Sequence, residues 1–185
     1  MIEKNELEQL KIADEMTRIV LANDPDTSAE VLEVLSEDNN QFVRARVAAH
    51  INTAAETLDK LSKDADPFVR EFVAEHPNTP VQTLVELSSD EEVVSWVAGN
   101  ANTPVDILDK LSTHEDIFVK ISIAINPSTT PNILTRLSRD PDENIRAAVA
   151  KNPIVPKEIL DTLITDPHED VRKIVFEHPK FVQNN

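Results

Sequence analysis

The chain is 185 residues long and carries 18 Lys and Arg against 34 Asp and Glu, a net charge of −16 with His neutral. Hydrophobic residues make up 40% and charged residues 28%, the composition of a folding chain and not of a disordered acidic tail. There is no cysteine, which excludes disulfides, thiolate zinc sites, cysteine-held iron–sulfur clusters and cysteine nucleophiles, and the one glycine, Gly99, excludes a glycine-rich phosphate loop.

Residues 1–20 mix charges without an apolar run, so no signal peptide is expected. No stretch approaches the roughly 18 apolar residues of a membrane span. A cytoplasmic protein without membrane contact is the expectation. Residues 1–24 read as an N-terminal capping half-repeat: Asn5 and Glu8 as a cap, Leu7 and Leu10 as a leucine pair, and Arg18, Leu21 and Ala22 as a worn second helix.

Six tandem repeats follow, at 25–50, 51–76, 77–100, 101–126, 127–152 and 153–178, with a truncated repeat or tail at 179–185, all in one domain. Leu32, Leu58, Leu84, Leu108, Leu134 and Leu160 form one column, and a second leucine lies three residues after each. Later come Val43, Val69, Val93, Val119, Ile145 and Val171, and four residues beyond them Val47, Val73, Val97, Ile123, Val149 and Val175. Spacings of three and four are helical. Each repeat therefore reads as two short helices.

The first helix is expected to open on a capping box, Thr27 with Glu30, Thr53 with Glu56 and Thr79 with Gln82. Pro80, Pro104, Pro131 and Pro156 fit its first turn. The second helix is expected to start near Asn40, Asp66 and Asp116. It stops where His76, Asn126, Asn152 and His178 precede proline, because that position is pushed out of the helical region. Helices this short are marginal alone in water. Each must bury its stripe against its partner and the next repeat, which predicts an all-α solenoid of six ~26-residue two-helix repeats with degenerate terminal caps.

The phrase Pro77–Asp90 (PNTPVQTLVELSSD) and its echoes, ANTPVDILDKLS and NPSTTPNILTRLS, resemble the leucine-rich repeat variant family over about residues 21–182. The resemblance implies short α- and 3₁₀-helices stacked in a right-handed superhelix without strands. The iron–sulfur module that accompanies one type of member is not carried over, since cysteine is absent. The segment Asp64–Ala74 (DADPFVREFVA) is also similar to HEAT repeats. That likeness implies a structural ladder of the pairs Asp38/Arg44, Asp64/Arg70, Asp140/Arg146 and Asp166/Arg172, with charge alternating between layers. The ladder is interrupted in the middle, by Val94 after Asp90 and by His114 with Lys120.

No constellation of reactive groups is singular. His50, His76 and His178 share a column with Asn100, Asn126 and Asn152, and equivalent positions in stacked layers stand about 10 Å apart, too far to share a metal. The repeating Asp column gives equal environments, whereas a catalytic pair needs unequal ones. Ser36, Ser62, Ser88, Ser112 and Ser138 recur once per repeat, and a nucleophile is expected once. No catalytic residue, metal or cofactor is assigned.

Phe42, Phe68 and Phe118 precede the buried valine of the second helix, and Phe72 and Trp96 follow it by three residues. Pointing outward, they would form an aromatic strip for a partner; pointing inward, they pack between layers. The acids and bases of the first helices, such as Glu30, Glu33, Glu37, Asp59 and Asp106, read as a solvated face or as an acidic docking surface.

The function expected is a non-enzymatic scaffold that binds a protein or peptide, basic where the acidic surface steers it. Direct nucleic-acid binding is not expected at this charge. The alternative is an acidic decoy or regulator that binds a basic nucleic-acid-binding protein.

Overall fold

A computed structural model describes residues 9, 10 and 12–182. Asn5, Leu7 and Glu8 of the expected N-terminal cap lie outside the described residues, as do 183–185. Among the described residues every regular element is an α-helix. The fold is an all-α solenoid, built of helical hairpins. Two compact units are present, one ending at Val93 and the other starting at Val94.

The first unit holds α1 (Glu15–Asn23), α2 (Ala29–Leu35), α3 (Gln41–Ala49), α4 (Ala55–Leu61), α5 (Pro67–Glu75) and α6 (Val81–Leu87). Its nine-residue helices pack on one another, α1 on α3 and α3 on α5, while α2 and α4 lean against them. The second unit holds α7 (Val94–Gly99), α8 (Val105–Leu111), α9 (Ile117–Ile125), α10 (Pro131–Leu137), α11 (Glu143–Lys151), α12 (Lys157–Leu163), α13 (Glu169–Glu177) and α14 (Pro179–Val182). Here α7, α9, α11 and α13 stack in order, with α14 against α13.

Burial follows the columns. Leu32, Leu58, Leu84, Leu108, Leu134 and Leu160 are fully buried, as are both valine/isoleucine columns. Truncating one such leucine to alanine costs about 2–5 kcal/mol, a large share of a small domain's stability. The seven-residue helices are α-helical and not 3₁₀. Ser36 N–H bonds Leu32 O at 2.8 Å, four residues back, and only the following Glu37 and Asp38 tighten to three-residue spacing.

The expected capping boxes do not form. The first helices start at Ser28, Ala54, Pro80, Pro104, Thr130 and Pro156, none with a side-chain cap bond. Pro131 alone of the four prolines lies inside the helix. Thr27, Thr53 and Thr79 donate their hydroxyls backward, to the carbonyls of Leu21, Val47 and Val73. Thr103 and Thr129 do the same to Val97 and Ile123. The reason is burial: the last carbonyls of the preceding helix lack intrahelical partners deep in the fold, whereas α2 opens on exposed Ala29 and Glu30, where water serves the free N–H groups.

Three second helices cap where the sequence predicts, at Asn40, Asp66 and Asp116, and α11 caps at Asp142, while α13 opens at His168 without a side-chain cap bond. The side chains of Asn40, Asp66, Asp116 and Asp142 accept from the N–H two residues on, at 2.7–2.9 Å. They end at His50, His76, Asn126, Asn152 and His178 in extended backbone.

Candidate interaction surface

Two systems of polar side chains hold the second helices in register. The first is the Asp/Arg ladder. The six-residue pairs are joined through the backbone: Arg44 Nη1 donates to Asp38 O at 2.8 Å, Arg70 to Asp64 O at 2.9 Å, Arg146 to Asp140 O at 2.9 Å and Arg172 to Asp166 O at 2.6 Å. The carboxylate partner lies twenty residues on. Arg44 Nε and Nη2 grip Asp64 at 2.6 and 2.9 Å, and Arg146 grips Asp166 at 2.7 and 3.0 Å. Arg18 holds Asp38 at 2.5 Å, and Arg70 divides itself between Asp90 at 2.7 Å and Glu92 at 2.8 Å. A planar fork with five donors suits this double duty.

Each carboxylate also accepts a backbone N–H two residues on, as Asp64 does from Asp66 and Asp166 from His168. Burial alone would raise the Asp64 and Asp166 carboxyls; the guanidinium and that N–H outweigh it and hold both below the usual carboxylate range. Lys120 keeps the ladder going, with its Nζ on Asp140 at 2.9 Å. Val94 has no charge to offer, and His114 takes the N–H of Asp116 on its Nδ1 at 3.1 Å in place of an aspartate.

The second system is the His/Asn column. Asn152 Nδ2 donates to Ala124 O and Asn126 O at 2.7 and 3.1 Å, while its Oδ1 accepts from Ile154 N–H at 2.9 Å. Histidine reproduces this with a ring. Nδ1 of His50 accepts from Asn52 N–H at 3.1 Å, and its Nε2 lies 2.8 Å from Asp24 O. His76 bonds Asn78 N–H and His50 O in the same way. An Nδ1 that accepts a backbone N–H carries no proton, so Nε2–H is the donor and the ring is neutral. Burial pushes the His76 value below that of a free imidazole, although the His50 carbonyl pulls the other way. Among the described residues no three His, Asp or Glu side chains are grouped to hold a metal ion.

The serine column closes the first helices: Ser36, Ser62, Ser88, Ser112 and Ser138 each donate to the carbonyl three residues back. On the outer side several acids meet bases. Lys60 pairs with Glu37, Lys63 with Asp59 and Arg136 with Asp109, at 2.5–3.0 Å. Such exposed pairs are worth about 0–1 kcal/mol each, but they neutralise part of that face.

The aromatic residues lie on the other side, along the second helices. In the first unit Phe42 and Phe68 are exposed and Phe72 half-buried. Their rings meet edge to face, Phe42–Phe68 at 6.5 Å and Phe68–Phe72 at 4.9 Å. In the second unit Trp96 and Phe118 are exposed, Phe118 to 68%. Sequence reasoning missed Ile121, half-buried, and Ile125, exposed, which continue the Phe118 face of α9 at helical spacing. The signal was present: α9 (IFVKISIAI) has one charged residue in nine, so it is apolar on more faces than one buried stripe requires.

A family model described as leucine rich repeat variant matches residues 67–92. Over that one repeat the chain is similar to the leucine-rich repeat variant family. A solved structure described as a leucine-rich repeat variant with a novel repetitive protein structural motif is similar to the chain, with a TM-score of 0.64 and 25% identity over 91% of this chain and 70% of that one. No curated protein matches. The matched leucine-rich repeat variant unit runs from α5 through α6 and contains both Arg70 and its partner Asp90. That family is a repeat-protein fold, and repeat solenoids generally mediate protein interaction. Among the described residues no helix is long and apolar enough to cross a membrane.

Proposed function

We propose that this chain is a non-enzymatic scaffold for protein–protein interaction, offering the exposed side of its second helices to a partner. We read residues 25–178 as six working repeats, with 1–24 as a capping half-repeat and 179–185 as a truncated repeat or tail. The observation that supports the reading is the repeated exposed phenylalanine. Phe42, Phe68 and Phe118 occupy one position in their helices and are 58%, 40% and 68% exposed, while the next residue in each helix, Val43, Val69 and Val119, is fully buried. A core that needed those rings would cover them, and exposed aromatics are the side chains that anchor partners. With Phe72 and Trp96 they are the partner-binding residues. The Asp38, Asp64, Asp140 and Asp166 carboxylates and the Arg44, Arg70, Arg146 and Arg172 guanidiniums are structural.

Affinity capture from the source organism, repeated with Trp96→Ala and Phe118→Ala, tests this. Loss of one or more partners with each variant still folded is expected. An unchanged capture set, or a turnover abolished by a single substitution, contradicts it. The net charge of −16 favours one narrower form, an acidic decoy for a basic nucleic-acid-binding protein. In that form nucleic acid would compete with this chain for the captured protein.

A further inference from the structure

On α5, Phe68, Glu71, Phe72 and Glu75 stand at spacings of three and four and share one face. Glu71 is half-buried, and neither it nor Glu75 has an ion pair or hydrogen bond to a base. Arg46, exposed on neighbouring α3, forms no ion pair with them. Burial raises the Glu71 carboxyl, and the Glu75 charge adds to it. A half-buried acid beside a second acid, with no cation supplied by the fold, is an incomplete arrangement. Next to it a hollow of about 330 Å³ is lined by Ala49, Phe72, Glu75, His76 and Pro77. The Phe42–Phe68–Phe72 ring contacts run up to its edge.

We infer that this face of α3 and α5 takes a basic peptide segment with an apolar anchor. The anchor lies on the Phe42–Phe68–Phe72 rings, and an arginine or lysine head enters between Glu71 and Glu75 against Phe72. Three terms favour that occupant together: apolar area on exposed rings, attraction of a cation to a ring face, and two uncompensated carboxylates. An uncharged apolar segment would leave the carboxylates desolvated without a partner, and an acidic one would be repelled. The corresponding positions of α9 are Phe118, Ile121, Ser122 and Ile125, so acid is replaced there by isoleucine. That face of the second unit supplies a contrast inside the same chain. The inference rests on the scaffold reading and names the partner chemistry of one of its surfaces.

The test uses the full chain, labelled with ¹⁵N, and a short arginine–leucine peptide, with serine–leucine, arginine–serine and glutamate–leucine versions. Amide shifts for the arginine–leucine peptide are expected at α3 and α5. Glu71→Gln/Glu75→Gln and Phe72→Ala should each weaken it about tenfold. Glu30→Gln/Glu33→Gln, an equal charge change on the outer side of α2, should weaken it less than about twofold. The inference is overturned if both glutamate pairs act alike, or if the serine–leucine or arginine–serine peptide binds equally well. The conservative glutamine pair keeps the test valid should Phe72→Ala fail to fold. Shifts gathered on Phe118, Ile121 and Ile125 instead would leave the scaffold standing and refute this site. No shifts on either face with any peptide would count against both. A concentration-dependent dimer lost with Glu71→Gln/Glu75→Gln would make the occupant a second copy and likewise overturn the inference.

Discussion

Asn126 closes α9 with its side chain 1% exposed, and its substitution isolates the strap between layers. Its Nδ2 donates to Ala98 O at 2.7 Å and Asn100 O at 2.8 Å, and its Oδ1 accepts from Ser128 N–H at 2.8 Å. Asn126→Ala leaves Ala98 O without this donor. Asn100 O keeps the Thr103 N–H at 3.1 Å, and half-buried Ser128 has partial access to water. One fully orphaned buried group and two impaired ones come to about 3 kcal/mol. Asn126→His is the informative companion. In the first unit His76 keeps the acceptor role on Nδ1 and reaches His50 O, the equivalent of Asn100 O, with Nε2. The histidine variant therefore loses mainly the Ala98 contact, about 1 kcal/mol. Urea unfolding followed by far-UV circular dichroism measures both, with the slope checked for constancy. Equal losses for alanine and histidine would refute the reasoning, as would a loss below about 0.5 kcal/mol for alanine.

The folded His76 value lies below that of the unfolded chain, so the unfolded state takes up the proton first. Its stabilisation is complete above about pH 6.5 and is lost as the pH falls through the folded value; a melting curve against pH should be flatter in this window for His76→Asn, and parallel curves would exclude the neutral ring. Arg146→Ala strands the Asp166 carboxylate, whose side chain is 4% exposed. It should cost about 3 kcal/mol, with the loss largely recovered in Arg146→Met/Asp166→Leu; a double variant no better than the single would contradict the ladder. Thr129→Val removes the buried hydroxyl bond to Ile123 O and should cost about 1 kcal/mol. The reverse change at the same column, Val155→Thr, places a hydroxyl six residues after Val149 and should be neutral or stabilising in the same unfolding assay.

The hydrophobic columns were legible because burial leaves its mark at a fixed spacing: Leu32 and Leu35, then Val43 and Val47, each point the same way in every repeat. The caps at Asn40, Asp66 and Asp116 were legible because nothing else competes for those side chains. Thr27, Thr53 and Thr79 were misread for the opposite reason. A hydroxyl at a helix junction has two sets of orphan groups within reach, and only the depth of burial decides between them. The ladder was half legible. Aspartate and arginine six residues apart showed a charge pattern, but their link runs through a carbonyl, which leaves no trace in residue type. The ionic partner twenty residues on is the 26-residue repeat less those six. Ile125 escaped notice because an isoleucine in a helix reads as core until its exposure is known, and Ile121 beside it is partly buried against the core.

Exposed aromatic and apolar side chains on the second helices are the centre of the functional account. The most direct measurement is selection of a displayed random peptide library on the intact chain, followed by amide hydrogen exchange with the enriched peptides bound. Protection concentrated on α3 and α5, on α9, or on both is the result the account expects. Protection confined to the outer seven-residue helices, or no enrichment at all, would contradict it.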